Sequence, residues 1–132
     1  MKNATREEIL ELWLTTLEQH PERQTTGVLG EVLEEGKENF CCLGQLCDIY
    51  YDSSIKIVDK NSNITFNGED IALPSDLQNF MGFYGDEGLI LGEQPEKDGT
   101  TFNTLTEMND DGCTWPEIAA FIRANPEQVF DR

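Results

Sequence analysis

The fold is organised around the most apolar run of the chain, residues 40–50, which read FCCLGQLCDIY. This run holds three of the four cysteines in the 132-residue sequence. Its large residues fall at Leu43, Leu46, Cys47 and Tyr50, which is the i, i+3, i+4, i+7 spacing of one helical face. A helix that is apolar over much of its circumference is typically buried. The run therefore predicts a central helix in a small domain.

The segments before this run predict a helix and a short hairpin. A first helix is expected from Arg6 to Gln19, because Thr5 and Glu8 form a capping-box pattern at its start. Residues 25–32 predict a strand, and residues 33–39 predict the turn that follows it. The hairpin would lead directly into the central helix.

The segments after the central helix predict a second hairpin and further short helices. Residues 55–58 alternate and are β-branched, and residues 64–66 would form the partner strand. Helical spacing or capping patterns recur at residues 75–81 with Ser75 as the cap, at residues 101–109, from the Thr114–Glu117 capping box onwards, and after Pro126. Residues 85–99, rich in glycine and acid, predict a surface loop.

These elements predict an α+β fold with a single domain over residues 1–132. It would hold four to five short helices around the buried cysteine-containing helix, with one or two β-hairpins.

Charge is the most unusual feature of the composition. Twenty-six acidic residues face nine basic ones, which gives a formal net charge of −17. Residues 67–132 alone carry 14 acids and 3 bases, a balance of −11. Such a surface repels nucleic acid and anionic membranes and attracts basic proteins. Direct nucleic-acid binding is therefore disfavoured, although the charge could also serve solubility alone.

The sequence predicts a cytoplasmic protein. No apolar run approaches the ~20 residues that span a bilayer, and the first ten residues lack the apolar stretch of a signal peptide. In that compartment the four cysteines would be reduced thiols.

A zinc site would have to combine Cys41, Cys42 and Cys47 with Cys113 or His20. Zinc ligands usually come in pairs two to four residues apart, and adjacent residues on a helix point about 100° apart. The cysteines are therefore interpreted as small buried hydrophobes.

Two further sites are also weakly supported. A Cys/His hydrolase would need His20, the single histidine, beside a thiol and an orienting group. A calcium loop over residues 59–70 would have Ile64 where glycine belongs and Asp70 where glutamate belongs. A hairpin turn explains these residues better, and no cofactor is expected.

Three segments resemble a family of small, uncharacterised proteins of tailed bacteriophages. They are residues 40–48 (FCCLGQLCD), Leu73-Pro74 before a short helix, and residues 105–112 (LTEMNDDG) followed by residues 115–122 (WPEIAAFI). The resemblance covers residues 26–122, and the acidic segment 85–99 is longer here. It implies an accessory phage product that acts on the host.

Charge and resemblance together predict a non-enzymatic protein that binds and modulates a basic host protein, of the nucleic-acid-handling or anti-phage defence class. Its carboxylates would imitate a nucleic acid backbone, which carries one charge per ~1.7 Å of duplex. The candidate interface consists of acids between residues 85 and 111: Asp86, Glu87, Glu93, Glu96, Asp98, Asp110 and Asp111. The opposing interpretation is that these acids belong to a solvated loop.

Two alternatives come from other classes of function. A small-molecule binder that sequesters a nucleotide-like host signal would need convergent donors and stacking rings. The available residues are the bases Arg6, Arg23, Lys37 and Arg123 and the aromatics Trp13, Tyr50, Tyr51 and Trp115. A metal-dependent enzyme is the third hypothesis.

Overall fold

The structure, a computed structural model, describes residues 3–132 and has the expected α+β fold. Its described helices are α1 (Arg6–Gln19), α2 (Cys42–Tyr50), α3 (Ser75–Met81), α4 (Leu105–Asp110), α5 (Trp115–Ala124) and α6 (Pro126–Val129). Its strands are β1 (Gly30–Val32), β2 (Glu38–Phe40), β3 (Lys56–Val58), β4 (Asn63–Phe66), β5 (Glu96–Lys97) and β6 (Thr100–Thr101). One cluster of buried side chains extends from Ile9 to Phe130, so the described residues share a single core.

Two hairpins join to form the main sheet, which is antiparallel with strand order β2-β1-β4-β3. Both hairpins were expected from the sequence. Strand β1 is shorter than the predicted strand over residues 25–32. Gly30–Val32 pair with β2, and of these Gly30 and Glu31 also pair with β4. The residues considered for a calcium loop form a hairpin turn, in which Asp59 Oδ1 accepts hydrogen bonds from the backbone N–H groups of Asn61 and Asn63, at 2.8 and 3.0 Å. The carboxylate therefore stabilises the hairpin turn.

The central helix α2 is confirmed, although it begins at Cys42 because Phe40 ends β2. Residues 42–47 are all buried. Cys41 occupies the N-cap, where its Sγ accepts a hydrogen bond from Gly44 N at 3.3 Å. Gly44 lies against the backbone of Leu29, the residue before β1, and a Cβ atom at position 44 would overlap the Leu29 carbonyl oxygen. The absence of a side chain at Gly44 therefore allows α2 to pack closely against the residues that lead into β1.

Helix α1 packs against α2 and α5. Both predicted capping boxes are present, Thr5 with Glu8 in α1 and Thr114 with Glu117 in α5. Trp13 from α1 is completely buried, and its indole Nε1 donates to Cys42 O at 2.7 Å. Helix α1 is therefore fixed to α2 by a directional bond as well as by apolar packing.

Three local predictions need correction. Pro74, rather than Ser75, holds the N-cap position of α3, and no side chain caps that helix. The helix expected over residues 101–109 begins only at Leu105, because Thr104 is its N-cap and Phe102 lies before it in extended chain. Residues 85–99 also include a strand, β5, which pairs with β6.

Candidate functional site

The acidic segment, defined as residues 86–98, runs along α4 and α6 and ends in the β5–β6 hairpin. Glu87 O accepts a hydrogen bond from Thr106 N near the start of α4, at 3.2 Å. Lys97 Nζ donates to Gly112 O just beyond the end of α4, at 2.8 Å. Between these two contacts, Gly88 O accepts a hydrogen bond from Leu105 N and Ile90 N donates to Asn103 O, so the backbone of the segment pairs with the start of α4 and with the residues just before it.

The segment is held by its backbone and by a few neutral side chains. Leu91 N donates to Gln128 O, and Gln128 Nε2 donates to the carbonyl oxygens of Leu91 and Glu93, both at 2.7 Å. Ile90 is 2% exposed and anchors the segment in the core. The backbone, Gln128 and Ile90 therefore hold the segment in place, and its carboxylates do not contribute to this.

Five of the predicted interface acids project from this segment and are exposed: Asp86, Glu87, Glu93, Glu96 and Asp98. Within residues 3–132, the structure shows no side-chain hydrogen bond or ion pair for any of these five. The segment has one base, Lys97, whose Nζ lies 2.8 Å from Glu117 Oε1 in α5. This ion pair raises the pKa of Lys97 and, with the backbone N–H of Thr114, lowers the pKa of Glu117. The local base is therefore already engaged outside the segment.

The hairpin that closes the segment was not predicted. Asp98 and Gly99 adopt φ values of 52° and 83°, as the two central residues of a tight β-hairpin turn require. The Asp-Gly pair is the sequence signal that could have revealed it. The turn presents the Asp98 carboxylate at the tip of an ordered hairpin.

The remaining two predicted acids, Asp110 and Asp111, differ from each other. Asp110 Oδ1 accepts hydrogen bonds from Gly27 N at 3.1 Å and from Asn109 Nδ2 at 3.0 Å. Asp111 is exposed. Asp110 therefore has a structural role in this fold, whereas Asp111 is available beside the acidic segment.

Asn109 is a buried hub that sequence reasoning missed. Its side chain is 2% exposed, and Oδ1 accepts hydrogen bonds from Cys42 N at 3.0 Å, Trp115 Nε1 at 3.2 Å and Gln24 Nε2 at 3.1 Å. Its Nδ2 donates to Thr25 O at 2.8 Å. The network joins the start of α2 to the end of α4 and the start of α5. Residues 40–48 thus meet residues 105–112 and 115–122 in the interior.

Many acids outside the segment have basic partners. Arg123 in α5 binds both Glu11 and Glu18 of α1, with its nearest nitrogen–oxygen distances at 2.9 and 2.7 Å. The hydrogen bonds from Arg123, followed by one from Thr15, lower the pKa of Glu11 to about 2. The negative charge of α1 is therefore partly neutralised across the α1–α5 interface.

Lys56 neutralises a second acidic pair. Its Nζ lies 2.7 Å from Glu38 Oε1 and 2.8 Å from Asp48 Oδ1. Burial alone would lower the pKa of Lys56, but these two carboxylates outweigh burial and the pKa is raised. This pairing contrasts with the five unpaired acids of the segment.

The four cysteines are free and buried. Burial raises the pKa of Cys41 to about 12 and raises those of Cys42 and Cys47 well above their usual value, so these thiols are neutral. Among residues 3–132, no group of three or more His, Cys, Asp or Glu side chains is placed to hold a metal ion. The zinc site suggested by their sequence positions is therefore not assembled.

His20 lies apart from the thiols. Its Nδ1 is 3.2 Å from Glu22 Oε2 at the protein surface, whereas the cysteines are in the core. The Cys/His pair that a hydrolase would need is not formed in the described residues.

Of the residues proposed for a nucleotide-like ligand, Tyr50 and Tyr51 lie together with ring centroids 5.0 Å apart, but none of the proposed bases lines their cleft. Trp13 and Trp115 are completely buried, and their indole N–H groups bond inside the protein. Arg123 is held by two glutamates, while Arg6 donates to Met81 O at 2.7 Å and lies over the ring of Phe130.

Arg23 and Lys37 do line one cleft of about 470 Å³, but Glu22, Glu38 and Asp48 line it too. These acids oppose a polyanionic ligand.

Comparison with known proteins gives one family, whose function is unknown. A family model described as "Domain of unknown function (DUF8296)" matches residues 5–126. No curated protein and no solved structure matches the chain. The matched range includes both the Asn109 network and the acidic segment. None of the helices described in residues 3–132 is long and apolar enough to cross a membrane.

Proposed function

The chain belongs to the DUF8296 family of domains of unknown function, and we propose that it is a bacteriophage accessory protein that binds and modulates a basic host protein. The partner would be a nucleic-acid-handling or anti-phage defence protein in the host cytoplasm, and the acidic segment would occupy its nucleic-acid surface. No catalytic step is part of this role.

One observation carries the proposal: five exposed, unpaired carboxylates lie on a segment whose single base is paired elsewhere. A solubilising charge needs no fixed geometry. Here the segment is held against α4 and α6 by backbone hydrogen bonds and ends in an ordered hairpin. A basic surface would therefore meet a preformed row of charges, and preorganisation lowers the cost of binding.

Asp111 extends this surface beyond the segment. Lys97 Nζ contacts Gly112 O, which brings the β5–β6 hairpin next to the turn that carries Asp111. The proposed interface thus consists of the five acids of the segment together with Asp111. Asp110 is left out because its carboxylate bonds Gly27 N and Asn109 Nδ2.

The test compares the wild-type protein with two charge-matched variants as baits for bacterial lysate. The interface variant neutralises the five segment acids: Asp86→Asn, Glu87→Gln, Glu93→Gln, Glu96→Gln and Asp98→Asn. The control variant removes the same charge from exposed acids elsewhere: Glu7→Gln, Glu34→Gln, Glu35→Gln, Glu69→Gln and Glu127→Gln. Because both variants have the same net charge, any difference between them reports the position of the charge.

We expect the wild type and the control variant to capture the same basic protein and the interface variant to lose it. Affinity for the purified partner should fall at least tenfold between about 50 mM and about 500 mM salt, since exposed charges are screened over this range. The wild type should also displace duplex DNA from that partner. Equal capture by both variants, or a complex indifferent to salt, would contradict the proposal.

A further inference from the structure

A cleft of about 300 Å³ lies between the C-terminal end of α2 and helix α3. Its lining residues are Ala4, Tyr50, Tyr51, Asp52, Ile55, Asp76 and Phe80. Three of the seven are aromatic, two are acidic and none is basic. This composition differs from that of the acidic segment, which has no aromatic residue.

The aromatic rings of the cleft are held by one another. The ring centroids of Tyr50 and Tyr51 are 5.0 Å apart in an edge-to-face arrangement, and those of Tyr50 and Phe80 are also 5.0 Å apart. Tyr51 stacks on the buried ring of Phe66 at 6.2 Å. Since each ring is fixed by a neighbour, the aromatic wall is already formed before any ligand arrives.

Within residues 3–132, neither carboxylate of the cleft forms an ion pair. Tyr51 Oη donates to Asp76 Oδ1 at 2.6 Å, and burial together with this bond raises the pKa of Tyr51, so the phenol remains a neutral donor. Asp52 is exposed, and the structure shows no side-chain hydrogen bond or ion pair for it within residues 3–132. The nearby Lys56 is bound to Glu38 and Asp48 instead.

We infer that this cleft binds the guanidinium group of an arginine side chain on the partner protein. A cation over an aromatic face is attracted by the ring quadrupole, and arginine combines such stacking with planar hydrogen bonding to carboxylates. Arginine is also enriched among the side chains that dominate interface energies. The presence of a partner rests on the proposed function, whereas the chemistry of the cleft is independent of it.

The test is an NMR titration of the full chain with N-acetyl-arginine amide at constant ionic strength. The comparison ligands are N-acetyl-lysine amide, which is a cation without a planar guanidinium group, and N-acetyl-norleucine amide, which is neutral. We expect saturable shifts at Tyr50, Tyr51 and Phe80 with the arginine ligand, weaker binding of the lysine ligand and no binding of the neutral one. Equal binding of lysine and arginine, or binding of norleucine, would overturn the assignment.

Three substitutions locate the site. Asp52→Asn should weaken arginine binding roughly three- to fivefold, and Tyr50→Leu should weaken it roughly two- to fivefold by removing the ring while keeping apolar volume. Asp86→Asn is the matched control, since it removes the same charge from the acidic segment and should leave the titration unchanged. If Asp52→Asn and Asp86→Asn weaken binding equally, the effect is general electrostatics and the inference fails.

The two proposals can fail separately. A failed titration together with salt-sensitive partner capture would remove the arginine site and leave the acidic interface. A successful titration together with equal capture by the charge-matched variants would remove the acidic interface and leave the cleft.

Discussion

The Asn109 network and the acidic segment use polar side chains in opposite ways. Asn109 is 2% exposed and joins Gln24, Cys42 and Trp115 through one amide group. The five acids of the segment are exposed and have no such side-chain contacts in the described residues. A buried polar group costs free energy unless it is paired, whereas an exposed one is solvated at no cost. The fold and the proposed function therefore depend on different residues and can be tested separately.

The largest effect on stability is expected from Gly44→Ala. The added Cβ would overlap the Leu29 carbonyl oxygen, and the three nearest atoms all belong to the Leu29 backbone, which cannot move aside as the end of a flexible side chain can. We expect a loss of more than about 4 kcal/mol in the free energy of unfolding, which is a large part of a small domain's stability. Chemical denaturation followed by circular dichroism measures it.

The matched control for this change lies next to the acidic segment. A Cβ atom at Gly85 would be 3.5 Å from Leu89 Cβ, an ordinary van der Waals contact. Gly85→Ala should therefore change the free energy of unfolding by less than about 1 kcal/mol. Equal losses in the two variants would mean that the approach of α2 to Leu29 is not the tight contact described above.

The next largest effect is expected from Asn109→Ala. The substitution leaves Cys42 N and Trp115 Nε1 without their partner in the interior, and the half-buried Thr25 O loses its donor. Each unpaired buried group costs about 1–3 kcal/mol, so the two buried groups predict a loss of about 2–6 kcal/mol in the same denaturation assay. Asn103→Ala, at an exposed asparagine, should cost less than about 0.5 kcal/mol. A mild effect at Asn109 would show that water can replace the network.

Much of the fold could be predicted because its signals are local. The bounds of α1 follow from Thr5, Glu8 and the chain turn at Pro21, all within or next to the helix. The burial of α2 follows from apolar spacing within a single nine-residue element. Such features depend only on residues that are close in sequence. They can therefore be predicted without knowing which elements pack against them.

The Asn109 hub could not be predicted because its partners are distant in sequence. Gln24 is separated from Asn109 by 85 positions and Cys42 by 67. Side by side in sequence, Asn109, Asp110 and Asp111 look like one turn, yet the first is buried and the last is exposed. Only the packing of α4 against α2 and α5 distinguishes them.

The exposure of the five segment acids was predictable, because glycine-rich acidic chain rarely enters a core. Their lack of partners was not, since Lys97 could have paired with Glu96 or Asp98 rather than Glu117. Tyr50 and Tyr51 were singled out from the sequence as stacking aromatics, but the cleft that they form with Phe80 and Asp76 was not predicted, because α2 and α3 are brought together by tertiary packing.

A smaller effect concerns acid stability at the α1–α5 interface. The hydrogen bonds from Arg123 lower the pKa of Glu11 in the folded protein from its ordinary value of 4.5 to about 2. A carboxyl whose pKa is lowered by folding contributes stability that is complete above the unfolded value and lost as the pH falls through the folded value. The contribution of Glu11 should therefore disappear between pH 4.5 and about 2.

Arg123→Gln tests this contribution, because Arg123 is the first cause of the lowered pKa. We expect the difference in unfolding free energy between wild type and variant to shrink as the pH falls through that window. Denaturation curves at several pH values measure the difference, which subtracts the contributions of the other acids. A difference that stays constant from pH 7 to pH 2 would mean that the Glu11–Arg123 contact does not form in solution.

The smallest effect on stability is expected from the interface variant that neutralises Asp86, Glu87, Glu93, Glu96 and Asp98. None of these side chains has a hydrogen bond or ion pair within residues 3–132, so their neutralisation removes no specific contact. Each surface change is worth less than about 0.5 kcal/mol, and reduced self-repulsion at a net charge of −17 acts in the stabilising direction. The variant should therefore unfold at the same denaturant concentration as the wild type, or at a slightly higher one, while losing the partner. A destabilised variant would mean that these acids stabilise the folded state, as Asn109 does. Its loss of partner binding could then not be attributed to the removed charge.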